Sequence, residues 1–154
     1  MSAEVVVPVS PDIAFAVSQT TGATRLHWDP FIRHQHLMEG AERPGKGVRT
    51  FTRSRHGFTM VSRYVSYSPG SNVGMTMEKG PWFFAVFGGG WRFMPHASGG
   101  TLARWKYNFS IRPQWLHVVA DPIGVWLLGR DIRRRIDAFA AACTDPLVLA
   151  AVDR

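Results

Sequence analysis

The chain has 154 residues, the length of one ordinary domain and too short for two separate cores. Hydrophobic residues make up 45 %, which excludes a disordered chain, and the single cysteine, Cys143, excludes an internal disulfide framework and fits a reducing, cytoplasmic setting. The formal charge of +7 permits an acidic or anionic partner.

Met1 to Val9 shows no basic region followed by a long apolar run, so no secretory signal is expected, and no stretch reaches the ~20 apolar residues of an integral membrane segment. Glu4 to Val9 is β-branched and reads as a strand ending at Pro8–Pro11. Ser10 reads as an N-cap with Pro11 at the first helical position, and Ile13, Ala14 and Val17 carry a helix to about Gln19. Thr24 to Met38 reads as a second, irregular helical region, with Asp29 capping and Pro30 opening its latter half.

From Gly45 the pattern becomes β-branched and aromatic, with strands expected at 46–56, 58–68, 72–79, 82–95 and 100–112. The breaks are His56-Gly57, Ser68-Pro69-Gly70, Gly80-Pro81 and Ser98-Gly99-Gly100, so the links are short and the strands form an antiparallel meander. Ala103, Trp105, Tyr107, Phe109 and Ile111 share one face of the last strand, while Arg104, Lys106, Asn108 and Ser110 share the other. Gly88-Gly89-Gly90 inside a strand marks a bend or a close approach. After Pro113 the period turns helical: Val118, Val125, Leu128, Ile132, Ile136, Phe139 and Cys143 fall on one face. A helix over 114–143, kinked or restarted at Pro122, would be roughly 45 Å long at ~1.5 Å per residue and would have to cover the sheet.

This order resembles the helix-grip fold of the SRPBCC (START/Bet v 1-like) superfamily, and within it the bacterial polyketide cyclase/dehydrase group. The resemblance is carried by Val7-Pro8-Val9-Ser10-Pro11-Asp12 with Ala14-Phe15, by Trp28-Asp29-Pro30-Phe31, and by Gly45-Lys46-Gly47. Tyr64 to Pro69, Gly100-Thr101 before Trp105-Lys106-Tyr107, and Arg133-Arg134-Arg135-Ile136 with Phe139 continue it. It implies one α+β domain over 1–154: a curved antiparallel sheet around a long C-terminal helix, with two short helices after the first strand. It also implies a cavity for a hydrophobic small molecule, lipid-like or polyketide-like, between sheet and helix.

The expected cavity face takes Trp105, Tyr107 and Phe109, with Trp91 and Phe93 from the neighbouring strand. Met60, Met75 and Met77 join them, and Trp28 and Phe31 close the mouth. Tyr107, Tyr64, Arg63 and His34 are the candidates for steering a substrate or moving protons, as an aromatase/cyclase or dehydratase would require. By alternation only one of Arg63 and Tyr64 faces inward. Histidines at 27, 34, 36, 56, 96 and 117 form no HExxH and meet no carboxylates at ligand spacing, so no metal is expected. No dinucleotide, Walker or GxSxG motif indicates a cofactor or an activated serine, and no nucleic-acid motif surrounds the arginines. Arg130, Arg133, Arg134 and Arg135 read as a solvated helix face, which could meet an acidic carrier protein or an anionic surface. A homodimer is left open.

Overall fold

The computed structural model describes residues 1–112, 115 and 117–153. The elements are β1 (Ser2–Val7), α1 (Pro11–Ser18), α2 (Gly22–Trp28), β2 (Ile32–Leu37), β3 (Arg49–Ser54) and β4 (Thr59–Ser68). They continue with β5 (Asn72–Lys79), β6 (Phe84–Pro95), β7 (Thr101–Ile111), α3 (His117–Ala142) and α4 (Pro146–Val152). The seven strands form one antiparallel sheet in the order β1-β7-β6-β5-β4-β3-β2. The chain therefore runs as a meander from β2 to β7 and closes by pairing β7 with β1.

Local chemistry explains the short elements. Ser10 caps α1, its hydroxyl accepting from the Ile13 amide at 3.4 Å, with Pro11 at the helix start. The same device recurs at Asp145–Pro146, where the carboxylate accepts from the Leu147 amide at 2.9 Å and opens α4. The sequence reading did not include α4.

Two corrections concern backbone class. Thr24 to Met38 is not one helical region: α2 stops at Trp28, and Ile32–Leu37 is an edge strand paired with β3. Its sequence, IRHQHL, has exposed histidines and an arginine where a half-buried strand would show apolar alternation, so the pairing partner rather than the pattern makes it a strand. Asp29 ends α2 instead of opening a second helix, and its Oδ1 accepts from the Phe31 amide at 3.0 Å. Pro122 does not restart α3, which runs through it; near the helix start a proline forfeits a single ladder bond.

α3 crosses the inner face of the sheet. Ile132, Ile136, Phe139 and Cys143 are buried as their spacing predicts, but Val125 is 49 % exposed, so among the described side chains of the helix burial begins around Leu128. The side chain of Val118 and that of His117 lie outside the described residues. The centre of the core is aromatic: Trp91 stacks on Trp105 at 4.5 Å, and Phe139 packs on Trp91 at 4.5 Å. The Cys143 thiol is buried there and its pKa is pushed up to about 12 by burial, so it is an unreactive core group.

Candidate functional site

Between the concave face of the sheet and α3 lies a cavity of about 110 Å³. Strand alternation points Phe87, Gly89 and Trp91 of β6, Met75 and Met77 of β5, Ser62 and Tyr64 of β4, and Thr50 and Thr52 of β3 at it. Trp105 and Tyr107 enter from β7, Arg135 from α3, and Phe31 and Arg25 from the α2–β2 region. Ring centroids form a continuous file from Phe84 through Phe87 (4.9 Å) to Tyr107 (5.4 Å) and Trp105 (5.1 Å).

The glycine run works by close approach. A Cβ on Gly89 would lie 2.8 Å from the Tyr107 ring, and one on Gly90 would lie 2.4 Å from the Val73 carbonyl oxygen. The phenol of Tyr107 thus leans across the space that a side chain at 89 would fill.

A buried ion network forms the polar end of the cavity. Arg135 grips Asp29 with two bonds, Nε to Oδ1 at 3.1 Å and Nη2 to Oδ2 at 2.7 Å. Its Nη1 donates to the Tyr107 hydroxyl. Arg25 Nε donates to Asp29 Oδ2 at 2.9 Å and its Nη1 to the Ser18 carbonyl. The Arg135 guanidinium also sits against Trp105 (4.3 Å) and Phe31 (4.6 Å), while that of Arg25 lies over Trp28 (4.5 Å). Burial would raise the Asp29 carboxyl, but the two guanidiniums overrule it and hold its pKa at about 2. Burial pushes Tyr64 up to about 12 and Tyr107 upward, so both phenols keep their protons near neutrality. The Tyr107 oxygen accepts from Arg135 and retains its own O–H for another acceptor.

Asp29 titrates with a defined sign. Its carboxylate is stabilised in the folded chain, so that contribution is complete above the ordinary value near 3.8 and is lost as pH falls towards 2. Denaturant titrations between about pH 5 and pH 2 should show a loss of roughly 2 kcal/mol at this site, which Asp29→Asn should remove from the pH profile. An identical acid profile in that variant would refute the assignment.

Of the expected lining, Phe31, Met60, Met75, Met77, Trp91, Trp105 and Tyr107 border the cavity, as does Tyr64. Trp28 packs on Phe139 and donates its indole N–H to Thr20 at 2.8 Å, Phe93 packs with Phe15 and Phe139, and Phe109 meets Phe84; none borders the cavity. Arg63 points away, 3.1 Å from Glu78, as alternation required once Tyr64 faced in. His34 is exposed and 3.0 Å from His36, outside the cavity. Arg135 corrects the reading of a solvated arginine face: it is 7 % exposed and belongs to the core network, while Arg130, Arg133 and Arg134 are exposed. Sequence reasoning missed Arg25 and Asp29 as site residues. Their i,i+4 spacing was visible, and Asp29 sits inside the quoted Trp-Asp-Pro-Phe stretch, but nothing local brings Arg135 to them across 106 residues.

The fold agrees with the comparisons to known proteins. The START superfamily protein from Mycobacterium smegmatis superposes with a TM-score of 0.76 at 13 % identity, covering 94 % of this chain and 96 % of that one. A Thermus thermophilus protein, TTHA0849, gives 0.75 at 13 % identity, covering 98 % and 97 %. The di-domain ARO/CYC StfQ from the steffimycin biosynthetic pathway gives 0.71 at 16 % identity, covering 92 % of this chain and 49 % of that one. These likenesses concern the fold. No curated protein sequence matches the chain. Residues 1–144 match the family model described as polyketide cyclase / dehydrase and lipid transport, and the chain belongs to that family, on a helix-grip α+β fold.

Proposed function

We propose that the cavity binds a small, largely apolar molecule that carries an electron-rich oxygen. The observation that supports this most is Thr50. It is 1 % exposed and borders the cavity, and its Oγ1 has no hydrogen-bond partner among the described residues. A buried hydroxyl without a partner costs about 1–3 kcal/mol, which a bound polar group would offset. The polar end holds two guanidinium cations, Arg25 and Arg135, for one carboxylate, Asp29, and so favours partial negative charge on the ligand. Met60, Met75 and Met77 supply an adaptable apolar wall.

Size narrows the class. A volume of 110 Å³ accommodates about one ring, since a ~150 Å³ cavity takes benzene and common ligand pockets span ~300–1,000 Å³. A longer polyketide or lipid chain requires the methionine side to yield.

Native mass spectrometry of protein purified without detergent tests the reading, with phenol-sized ketones and naphthols titrated as probes. Thr50→Val should leave thermal stability unchanged or higher and weaken the best probe roughly tenfold, as loss of one hydrogen bond implies. If Thr50→Val and wild type bind every probe alike, or nothing binds, the proposal fails.

The Tyr107 hydroxyl, which accepts from Arg135 in the cavity wall, supports a second reading, an aromatase/cyclase or dehydratase step. A protonated phenol can donate to a substrate carbonyl as enolate character develops, while the cavity fixes the reacting fold. Under this reading Tyr107→Phe lowers turnover of a poly-β-ketone analogue with little effect on binding; unchanged turnover excludes it.

A further inference from the structure

One end of the molecule carries apolar surface that the cavity reading leaves unexplained. Trp82 and Trp115 are each 76 % exposed and Trp126 is 60 % exposed. Phe58, Ile123, Val125 and Leu127 are exposed beside them in sequence or in space. The β3–β4 turn and the link between β5 and β6 meet here. Phe58 of the β3–β4 turn packs on Phe83 at 5.7 Å, and Phe83 lies 6.1 Å from Trp82. The Arg112 amide donates to the Phe83 carbonyl at 2.7 Å, which places Arg112 at the same tip. Gly129 of α3 abuts Met1, whose backbone bonds to Tyr107, so the α3 turns before it run towards the sheet end where Phe84 pairs with Ile111.

We propose that this end docks on an anionic lipid surface. Its composition fits a bilayer interface: tryptophan combines a large apolar body with a polar N–H and settles at headgroup depth. The charge fits as well. Between 112 and 134 the chain has Arg112, Arg130, Arg133 and Arg134 against Asp121 and Asp131, within a total of +7. Arg112, Arg130, Arg133 and Arg134 are exposed, and Arg130 lies 5.9 Å from the Trp126 ring centre. A second copy is a poorer occupant, because a two-fold contact would set these arginines against their own kind. The location adds a reason. The file of rings Trp82–Phe83–Phe84–Phe87 leads from the exposed tip to the cavity wall, with centroid steps of 6.1, 4.7 and 4.9 Å. An apolar molecule entering from a membrane would meet apolar rings along that line.

This inference goes beyond ligand binding and is tested apart from it. The full chain is floated with vesicles of phosphatidylcholine alone and of phosphatidylcholine mixed with phosphatidylglycerol, while tryptophan emission is recorded. The mixed vesicles should carry the protein with a blue shift in emission, and salt near 1 M, where the screening length is ~3 Å, should release it. Arg130→Gln/Arg133→Gln/Arg134→Gln should weaken vesicle binding roughly a hundredfold at ~1 kcal/mol for each charge removed. Trp82→Ser/Trp115→Ser/Trp126→Ser should abolish the blue shift, with the circular dichroism spectrum checked for an intact fold and probe binding in solution unchanged. Absence of binding to the mixed vesicles overturns the proposal. So does binding that both variants retain, or a concentration-dependent dimer that the tryptophan variant dissolves, which would assign the surface to a second copy.

Discussion

Asp29→Ala is expected to destabilise the protein by about 3–5 kcal/mol, because it leaves two buried guanidiniums without their counterion. Arg25 and Arg135 are 8 % and 7 % exposed, so bulk water does not screen them. At roughly 2–4 °C per kcal/mol for a chain of this length, the melting temperature should fall by about 6–20 °C. Asp29→Asn keeps the shape and two acceptor positions at most, and should lose less. The triple change Arg25→Met/Asp29→Leu/Arg135→Met replaces all the paired charge by apolar volume and should recover much of the loss, since buried ion pairs are often no more stabilising than packed hydrophobes. Thermal unfolding followed by circular dichroism reads all three. A loss below about 1 kcal/mol for Asp29→Ala would mean that solvent already reaches the network.

Gly90→Ala should be comparably severe for a different reason. The added methyl would stand 2.4 Å from the Val73 carbonyl oxygen and 3.2 Å from the Gly74 Cα, both backbone atoms of the paired strand. Neither can swing aside as a side chain could, so β5 must shift against β6. Overpacking of that kind costs about 1–3 kcal/mol and more where backbone has to move. Gly45→Ala is the control: its Cβ would meet only Val48 Cγ2, at 4.0 Å, and stability should stay within ~0.5 kcal/mol. Equal denaturation midpoints for the two variants would show that the sheet absorbs the methyl at 90.

The strands of the meander could be located from sequence because each short link carries glycine, proline or serine and the alternation in Thr101–Ile111 is strict. β2 could not, since an edge strand with exposed His34 and His36 lacks the apolar period that marks strands. The inward residues of β4, β5, β6 and β7 follow from alternation, and Met75, Met77, Trp91, Trp105 and Tyr107 border the cavity. Phe93 shares their parity and still misses the cavity, because parity assigns a face but not a height along the strand. Arg135 shows the opposite limit. Among four arginines of one helix, its burial depends on the Asp29 carboxylate, the Tyr107 hydroxyl and two rings that reach it from distant segments.

The missing side chain at Gly89 has a consequence for how such a site can change over generations. The phenol oxygen of Tyr107 owes its place to empty volume on the adjacent strand, where an added Cβ would stand 2.8 Å from its ring. Positions 89 and 107 are therefore coupled, and neither can drift alone without moving the phenol in the cavity wall. Relatives bearing a side chain at 89 should show a smaller or displaced residue in place of the tyrosine together with a shifted β7 backbone, because the same Cβ would also stand 2.8 Å from the Lys106 carbonyl oxygen.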